Sequence, residues 1–332
     1  MKNYVIIPTY SEAENLRELL KLLKKFNVII VDDYSGDGTK EVCDRFVNVR
    51  LMTRKNERGL ASAVMDGILS IKDRNAKVVV MDADFQHDPK KLPEFFKKLD
   101  EFDFICGYRE KSKMSGYRKL MSKTAKMLAR ILIPETKVID DPMSGYFGFK
   151  LNSVNLSKVE PEGYKIMLDI LTNLKPNARI GSVRYEFNRR KFGDSKLGSR
   201  VILNFLHQSI RLNHHRLITF MLVGISGVFV NEAVAFILHG HTQLYIVFVL
   251  SAETSIITNF ILNHVFTFKR RTKFTKSFPR YNLIALTGLV INVLVAVYLS
   301  FFIYYLVANL VGILTAFVFN YSLSEVFAWN KD

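Results

Sequence analysis

Short apolar runs and amphipathic stretches alternate through the first third of the chain. Val5–Pro8, Val28–Val31, Val49–Met52, Val78–Met81 and Phe104–Gly107 have the length and continuity of buried strands. Between them, stretches near 12–26, 37–46, 59–72 and 89–101 repeat apolar residues at helical spacing, with Pro89 just inside the start of the last. This rhythm predicts an α/β domain with a mostly parallel sheet covered on both faces. Ligands of such sheets bind at the carboxyl ends of the strands. The pattern then changes. Four apolar stretches, near 217–238, 244–266, 282–304 and 307–327, each run for about 20 residues, enough to cross a hydrocarbon core of about 30 Å. Two stretches before them, about 117–132 and 198–213, place basic residues opposite an apolar stripe and are expected to be interfacial helices. The expected division is a soluble domain over 1–212 and an α-helical transmembrane domain over 213–332.

Charge sharpens that division. The 332 residues carry 47 Lys+Arg against 31 Asp+Glu, for a net charge of +16, yet 49% are hydrophobic. From Asn213 onward there are only eight basic and four acidic side chains, so the first part holds a net +12. A chain this apolar does not have the composition of disorder. His239–Gln243, between the first two apolar stretches, has no Lys or Arg, whereas Lys269–Arg280 has six. The positive-inside rule then puts both ends and the basic segment in the cytoplasm, giving a multi-pass cell-membrane protein with a cytoplasmic first domain. No cleaved signal peptide is expected ahead of the first strand. Two isolated cysteines, Cys43 and Cys106, supply neither a disulfide framework nor a zinc cluster.

The membrane half reads as a duplicated helix pair. Ser226–Asn231 is echoed by Thr287–Asn292, and Thr258–Asn263 by Thr315–Asn320. Small residues and Asn suit close helix packing. Glu232 and Glu253 lie in apolar surroundings where a carboxylate is costly and has a role or a partner.

Three acidic segments end the first, second and fourth strands: Pro8-Thr-Tyr-Ser-Glu12, Asp32-Asp-Tyr-Ser-Gly-Asp37 and Asp82-Ala-Asp-Phe-Gln-His87. Ser35 and Asp37 suit helix capping. Capping does not account for Asp82 and Asp84 after a buried Val-Val-Val-Met run. An Asp-x-Asp pair there suits a hard cation, Mg²⁺ or Mn²⁺, shared with substrate phosphates.

With Tyr117-Arg-Lys119, Asp141-Pro-Met-Ser-Gly145 and Gly193-Asp-Ser-Lys196, these segments resemble the family 2 glycosyltransferases of the GT-A fold. Within them they most resemble the dolichyl-phosphate mannose synthase family; the apolar half resembles the GtrA-like four-helix domains. One departure is Ser11, where that family often has Asn. The processive synthases of the same fold are excluded, since the single tryptophan, Trp329, follows Ala328 and cannot complete Gln-x-x-Arg-Trp.

The resemblance implies a site. Pro8, Tyr10 and Glu12 would line the base and ribose side of a nucleotide-sugar, and Val31 and Asp33 would recognise the base. Asp82, Ala83 and Asp84 would approach the ribose and diphosphate, with Asp84, Gln86 and Asp82 holding the metal. Arg109, Arg118 and Ser122 would grip the acceptor phosphate, and Arg190 and Lys196 would face the donor diphosphate. Asp84, Arg109, Arg118 and Arg190 are the expected catalytic residues, while Lys111, Lys113, Lys123 and Lys126 read as solvated basic surface or contacts to anionic lipid headgroups. A phosphate monoester has a second pKa of about 6, so it is a ready nucleophile and needs orientation by cations more than a general base. The implied reaction is inverting transfer of mannose from GDP-mannose to dolichyl phosphate, a lipid-linked donor for glycosylation. Partners are the two substrates and the bilayer, not nucleic acid, with a homo-oligomer left open. UDP-glucose as donor, and a flippase built on the helix pairs, stay open as alternatives.

Overall fold

A seven-stranded sheet forms the centre of the first half. In the computed structural model, residues 1–55, 57–110, 126–127, 129–130, 132–161, 165–187, 199–213 and 216–329 are described. Contacts divide the chain into two units, Met1–Leu212 and Asn213–Asp332.

The first unit contains β1 (Asn3–Thr9), β2 (Asn27–Asp32), β3 (Val49–Thr53), β4 (Lys77–Val80), β5 (Phe104–Arg109), β6 (Phe147–Lys150) and β7 (Ile180–Tyr185). Their order is β3-β2-β1-β4-β6-β5-β7. All pairings are parallel except those of β6, which runs against both β4 and β5. Chain order reverses at β1, which lies between β2 and β4. In open α/β sheets such a switch point is where ligands bind.

Helices on both faces make the central strands continuously apolar. Val5, Ile7, Val28, Ile30 and Val79 face α1 (Ala13–Leu22), α2 (Thr39–Cys43) and α4 (Leu92–Glu101) in one core. On the other face, Gly67 lets α3 (Leu60–Leu69) approach the sheet, since a Cβ there would lie 2.9 Å from Ile6 Cγ2. β6 and β7 are additions to the five expected strands. β6 directly follows the Asp141–Gly145 motif, and β7 buries only Val183 and Tyr185. The unit continues through α5 (Ile166–Thr172) and α6 (Ser199–Leu212). α6 realises the second amphipathic stretch; most of the first, 117–132, lies outside the described residues.

The second unit holds α7 (Arg216–Leu238), α8 (Leu244–Leu262), α9 (Phe274–Ser300) and α10 (Tyr305–Leu323), with α8 and α10 each ending in a π-helical turn. All four are long and apolar enough to cross a membrane. α9 starts eight residues before the hydropathy predicts. Its first turns are amphipathic, with Ser277 and Tyr281 buried and Lys276 exposed, so part of the expected basic loop is helix.

The duplication is real, with one register corrected. Arg216, Phe220, Val223 and Gly227, buried on α7, recur 61 residues later as Ser277, Tyr281, Ile284 and Gly288. Val247, Ser251 and Phe260 recur as Ala308, Gly312 and Tyr321. At that spacing Asn320 corresponds to Asn259, not to Asn263. The sequence echo was one helical turn out, a slip that keeps the same face and so leaves the apolar pattern unchanged. Gly227 receives the Asn259 amide and Gly288 the Asn320 amide. Glu325, buried at the end of α10, pairs with Arg216 at 2.8 Å and Arg271 at 2.7 Å. Glu232 and Glu253 are exposed on their helices.

Candidate active site

Each of the three acidic strand ends turns on a residue with positive φ: Ser11 (59°), Tyr34 (56°) and Phe85 (65°). Non-glycine residues in this region are strained and persist where the surrounding structure holds them. Here they follow β1, β2 and β4, the strands that flank the switch point.

The acids divide by role. Asp32 is buried and accepts from the Ser35 main chain at 3.0 Å and from the Ser35 hydroxyl. Asp37 accepts from Ala13 N–H at 2.9 Å and from the Thr39 hydroxyl at 2.7 Å, tying the starts of α1 and α2 together. Burial pushes its pKa up, but these hydrogen bonds outweigh it and hold the carboxyl below its ordinary value. Both build turns. Asp33 accepts from Gly59 N–H at 2.9 Å and lies 3.3 Å from Arg54 Nε, which fixes its orientation. Tyr10 carries the Arg58 guanidinium 4.6 Å above its ring. Glu12 accepts from Asn15 beside α1. Val31 is fully enclosed in the core, so its side chain is not available to a ligand.

Asp82, Ala83 and Asp84 leave β4 in a tight loop. Asp84 is 3% exposed and accepts from Gln86 N–H at 3.0 Å. Asp82 donates its N–H to His87 Nδ1 at 2.9 Å, so the His87 proton is on Nε2. His87 is buried against Tyr146, ring centroids 5.0 Å apart. Burial pushes its pKa down to about 3; Asp84 opposes this, while Lys165 and Arg109 add to it. The ring is neutral support for the loop. Gly145 comes close to the same loop, since a Cβ there would lie 3.2 Å from the His87 ring and 3.6 Å from Asp82 Oδ2. Asp82, Asp84 and Gln86 offer oxygen donors only, which fits a hard cation. Among the described residues, no three His, Cys, Asp or Glu side chains gather to hold a metal by themselves.

A small cleft of about 40 Å³ lies at the switch point, lined by Pro8, Asp82, Ser144, Gly145 and Lys165 among others. Lys165 carries no motif, and the sequence reading missed it. Burial pushes its ammonium down to about 8; Arg109 repels it, and Asp82 and Asp141 pull the other way. Arg109 is bidentate on Asp141, with Nε at 2.6 Å and Nη2 at 3.1 Å, and lies over the Phe187 ring. Lys126 also reaches Asp141, at 3.1 Å. It is part of this buried network and not the solvated surface the sequence suggested. Arg118, Ser122, Arg190 and Lys196 lie outside the described residues.

Behind the cleft, Asp169 on α5 is 1% exposed and accepts from Arg211 at 2.6 Å and from Gln208. Burial raises its pKa to about 6, against the pull of Arg211 and Gln208. A folded-state pKa above the ordinary 3.8 means the native protein binds this proton more tightly than the unfolded chain does. Stability from this group is therefore present at about pH 4 and lost as pH rises to about 6. Asp169→Asn, which keeps an acceptor oxygen, is expected to remove that decline. Melting temperatures of both proteins across pH 4–7 check it, and parallel curves would exclude the assignment.

The family described as Glycosyl transferase family 2 matches residues 4–154, and the GtrA/DPMS transmembrane domain matches residues 219–329. A dolichol-phosphate mannosyltransferase of Pyrococcus furiosus is 35% identical, with 99% of each chain covered. The enzyme of that name from Saccharomyces cerevisiae is 36% identical over 61% of this chain and 84% of its own. An undecaprenyl-phosphate mannosyltransferase of Micrococcus luteus is 29% identical over 61% of this chain and 90% of its own.

Proposed function

The chain belongs to glycosyl transferase family 2, with a GtrA/DPMS transmembrane domain, and from that membership we propose that it transfers mannose from GDP-mannose to dolichyl phosphate. It is a glycosyltransferase and a multi-pass membrane protein. One observation supports the phosphate chemistry of this reading: the oxygen-donor loop of Asp82 shares a cleft with the ammonium of Lys165 at the sheet's switch point. That pairing suits a cation-bound diphosphate meeting a second phosphate.

In this reading, Tyr10 and Asp33 lie on the base side, with Asp33 held by Arg54 before the donor arrives. Asp84, Gln86 and Asp82 would hold Mg²⁺ or Mn²⁺, which when bound offsets the charge developing on the departing nucleoside diphosphate. Arg109, fixed in orientation by Asp141, directs its free edge to the acceptor phosphate. The dianionic acceptor attacks the anomeric carbon directly, so the configuration inverts. The first unit works on the cytoplasmic side, as the basic residues around Lys269–Arg280 favour.

Purified protein given radiolabelled GDP-mannose or UDP-glucose with dolichyl phosphate tests the reading. Product is expected from GDP-mannose with a divalent cation present. Faster transfer from UDP-glucose would overturn the choice of donor.

A further inference from the structure

Lys165 is positioned with unusual care for a residue outside every motif. It stands immediately before α5, and both of its main-chain polar groups are bound by one side chain. The Lys165 N–H donates to Gln208 Oε1 at 3.1 Å, and Gln208 Nε2 donates to the Lys165 carbonyl at 2.9 Å. Gln208 is itself 1% exposed on α6, and it also donates to Asp169. The backbone at 165 is thus clamped at two points, and α5 is tied to α6. From that anchor the side chain enters the cleft, its Nζ donating to the Met143 carbonyl at 2.9 Å.

The surroundings say what such a group is for. The cleft lies between the ends of β1 and β4, lined by Pro8 on one and Asp82 after the other. An enclosed ammonium costs desolvation energy, and a salt-bridge role alone does not require a place in the wall of an open cleft. Lysine is a compact point charge that binds phosphate without needing the planar match of arginine. Arg109 and Lys126 share the single Asp141 carboxylate, so one positive charge beside the cleft stays uncompensated by that pairing and Lys165 adds to it.

We infer that Lys165 binds a phosphate oxygen of the substrates in this cleft, and that Gln208 is the positioning residue that presents it. The inference rests on the proposed transferase reading. The shared chemistry is a phosphate oxyanion, and its source is either the donor diphosphate or the acceptor phosphate.

Full-length Lys165→Gln, Lys165→Arg and Gln208→Ala proteins separate these. Lys165→Gln removes the charge but keeps a donor for the Met143 carbonyl. GDP binding is measured by calorimetry without lipid, and the KM for dolichyl phosphate is measured separately. A charge-assisted contact predicts a loss of about 10- to 100-fold in one arm for Lys165→Gln. Loss in the GDP arm assigns the donor diphosphate; loss confined to the lipid arm assigns the acceptor. Lys165→Arg is expected to recover part of the same arm, and Gln208→Ala to weaken that arm by less than Lys165→Gln. Unchanged GDP affinity and unchanged lipid KM in Lys165→Gln would overturn the inference, as would an equal fall in both arms that Lys165→Arg does not relieve. Should Lys165→Gln not fold, the Lys165→Arg and Gln208→Ala proteins decide by the same arms, and no change in either arm overturns it. A wild-type protein that binds no GDP and transfers no mannose removes the underlying reading instead, a result readable before any variant is made.

Discussion

Replacing Asp84 by Ala is expected to abolish sugar transfer, a loss of about 10³-fold or more, while the protein stays folded. Asp84 is buried, accepts from Gln86 N–H and precedes Phe85, whose φ of 65° is strained. The carboxylate therefore has two separable jobs, closing the turn and presenting negative charge. Asp84→Asn keeps the size of the side chain and an acceptor for Gln86 while removing the charge. If charge is what matters, both variants lose activity alike. Stabilising a departing diphosphate is worth several kcal/mol, and a loss of about 4 kcal/mol is roughly three powers of ten in rate. Activity should also vanish in EDTA and return with Mn²⁺ or Mg²⁺. An active Asp84→Asn protein would reduce this residue to turn chemistry, and full activity in chelator would remove Asp82 and Asp84 from metal binding.

What could be read in the sequence followed from burial. β1 to β5 are visible because strands covered on both faces become unbroken apolar runs. β7 escapes that test, since most of its residues are partly exposed, and β6 is hidden behind a motif that draws attention to chemistry. The membrane helices are visible by hydropathy, but α9 begins where the backbone becomes helical and not where the apolar run begins. Asp84, Gln86 and the strand-end acids stood out through their motifs. Lys165, Asp169 and Gln208 did not, because their meaning lies in contacts between α5 and α6 that are distant in sequence. A faint signal was present: Asp169 interrupts the otherwise apolar Ile166–Leu171, and a lone acid on a buried helix needs a partner. Asp32 and Asp37 are turn-builders, a role the capping pattern already suggested for Asp37. They share a motif-rich segment with Asp33, yet their hydrogen bonds go into building the turn.

Asp141→Ala is expected to damage both stability and transfer, and a double variant can tell the two effects apart. The Asp141 carboxylate is fully buried, receives Arg109 through two hydrogen bonds, takes Lys126 at 3.1 Å and accepts from Met143 N–H at 3.2 Å. Burial pushes its pKa up, but Arg109 and Lys126 outweigh that and hold it below 3.8. Its contribution to stability is therefore complete above about pH 4 and lost as the pH falls through the lower folded value. Removing the carboxylate at neutral pH leaves two enclosed cations facing each other, and breaking a buried pair in this way costs about 3–5 kcal/mol. For a unit of this size that is a fall in melting temperature on the order of 10 °C. On the proposed role of Arg109 at the acceptor phosphate, transfer should fail as well, because Arg109 loses the fork that sets its orientation. Arg109→Ala in the Asp141→Ala background removes one stranded cation, so part of the lost stability should return while transfer stays absent. That non-additivity is the signature of a coupled pair. If the two substitutions add independently in the melting curves, the Asp141–Arg109 contact does not organise the acceptor side. If Asp141→Ala melts normally and only transfer is lost, Asp141 acts on the substrate itself and Arg109 is not the group it serves.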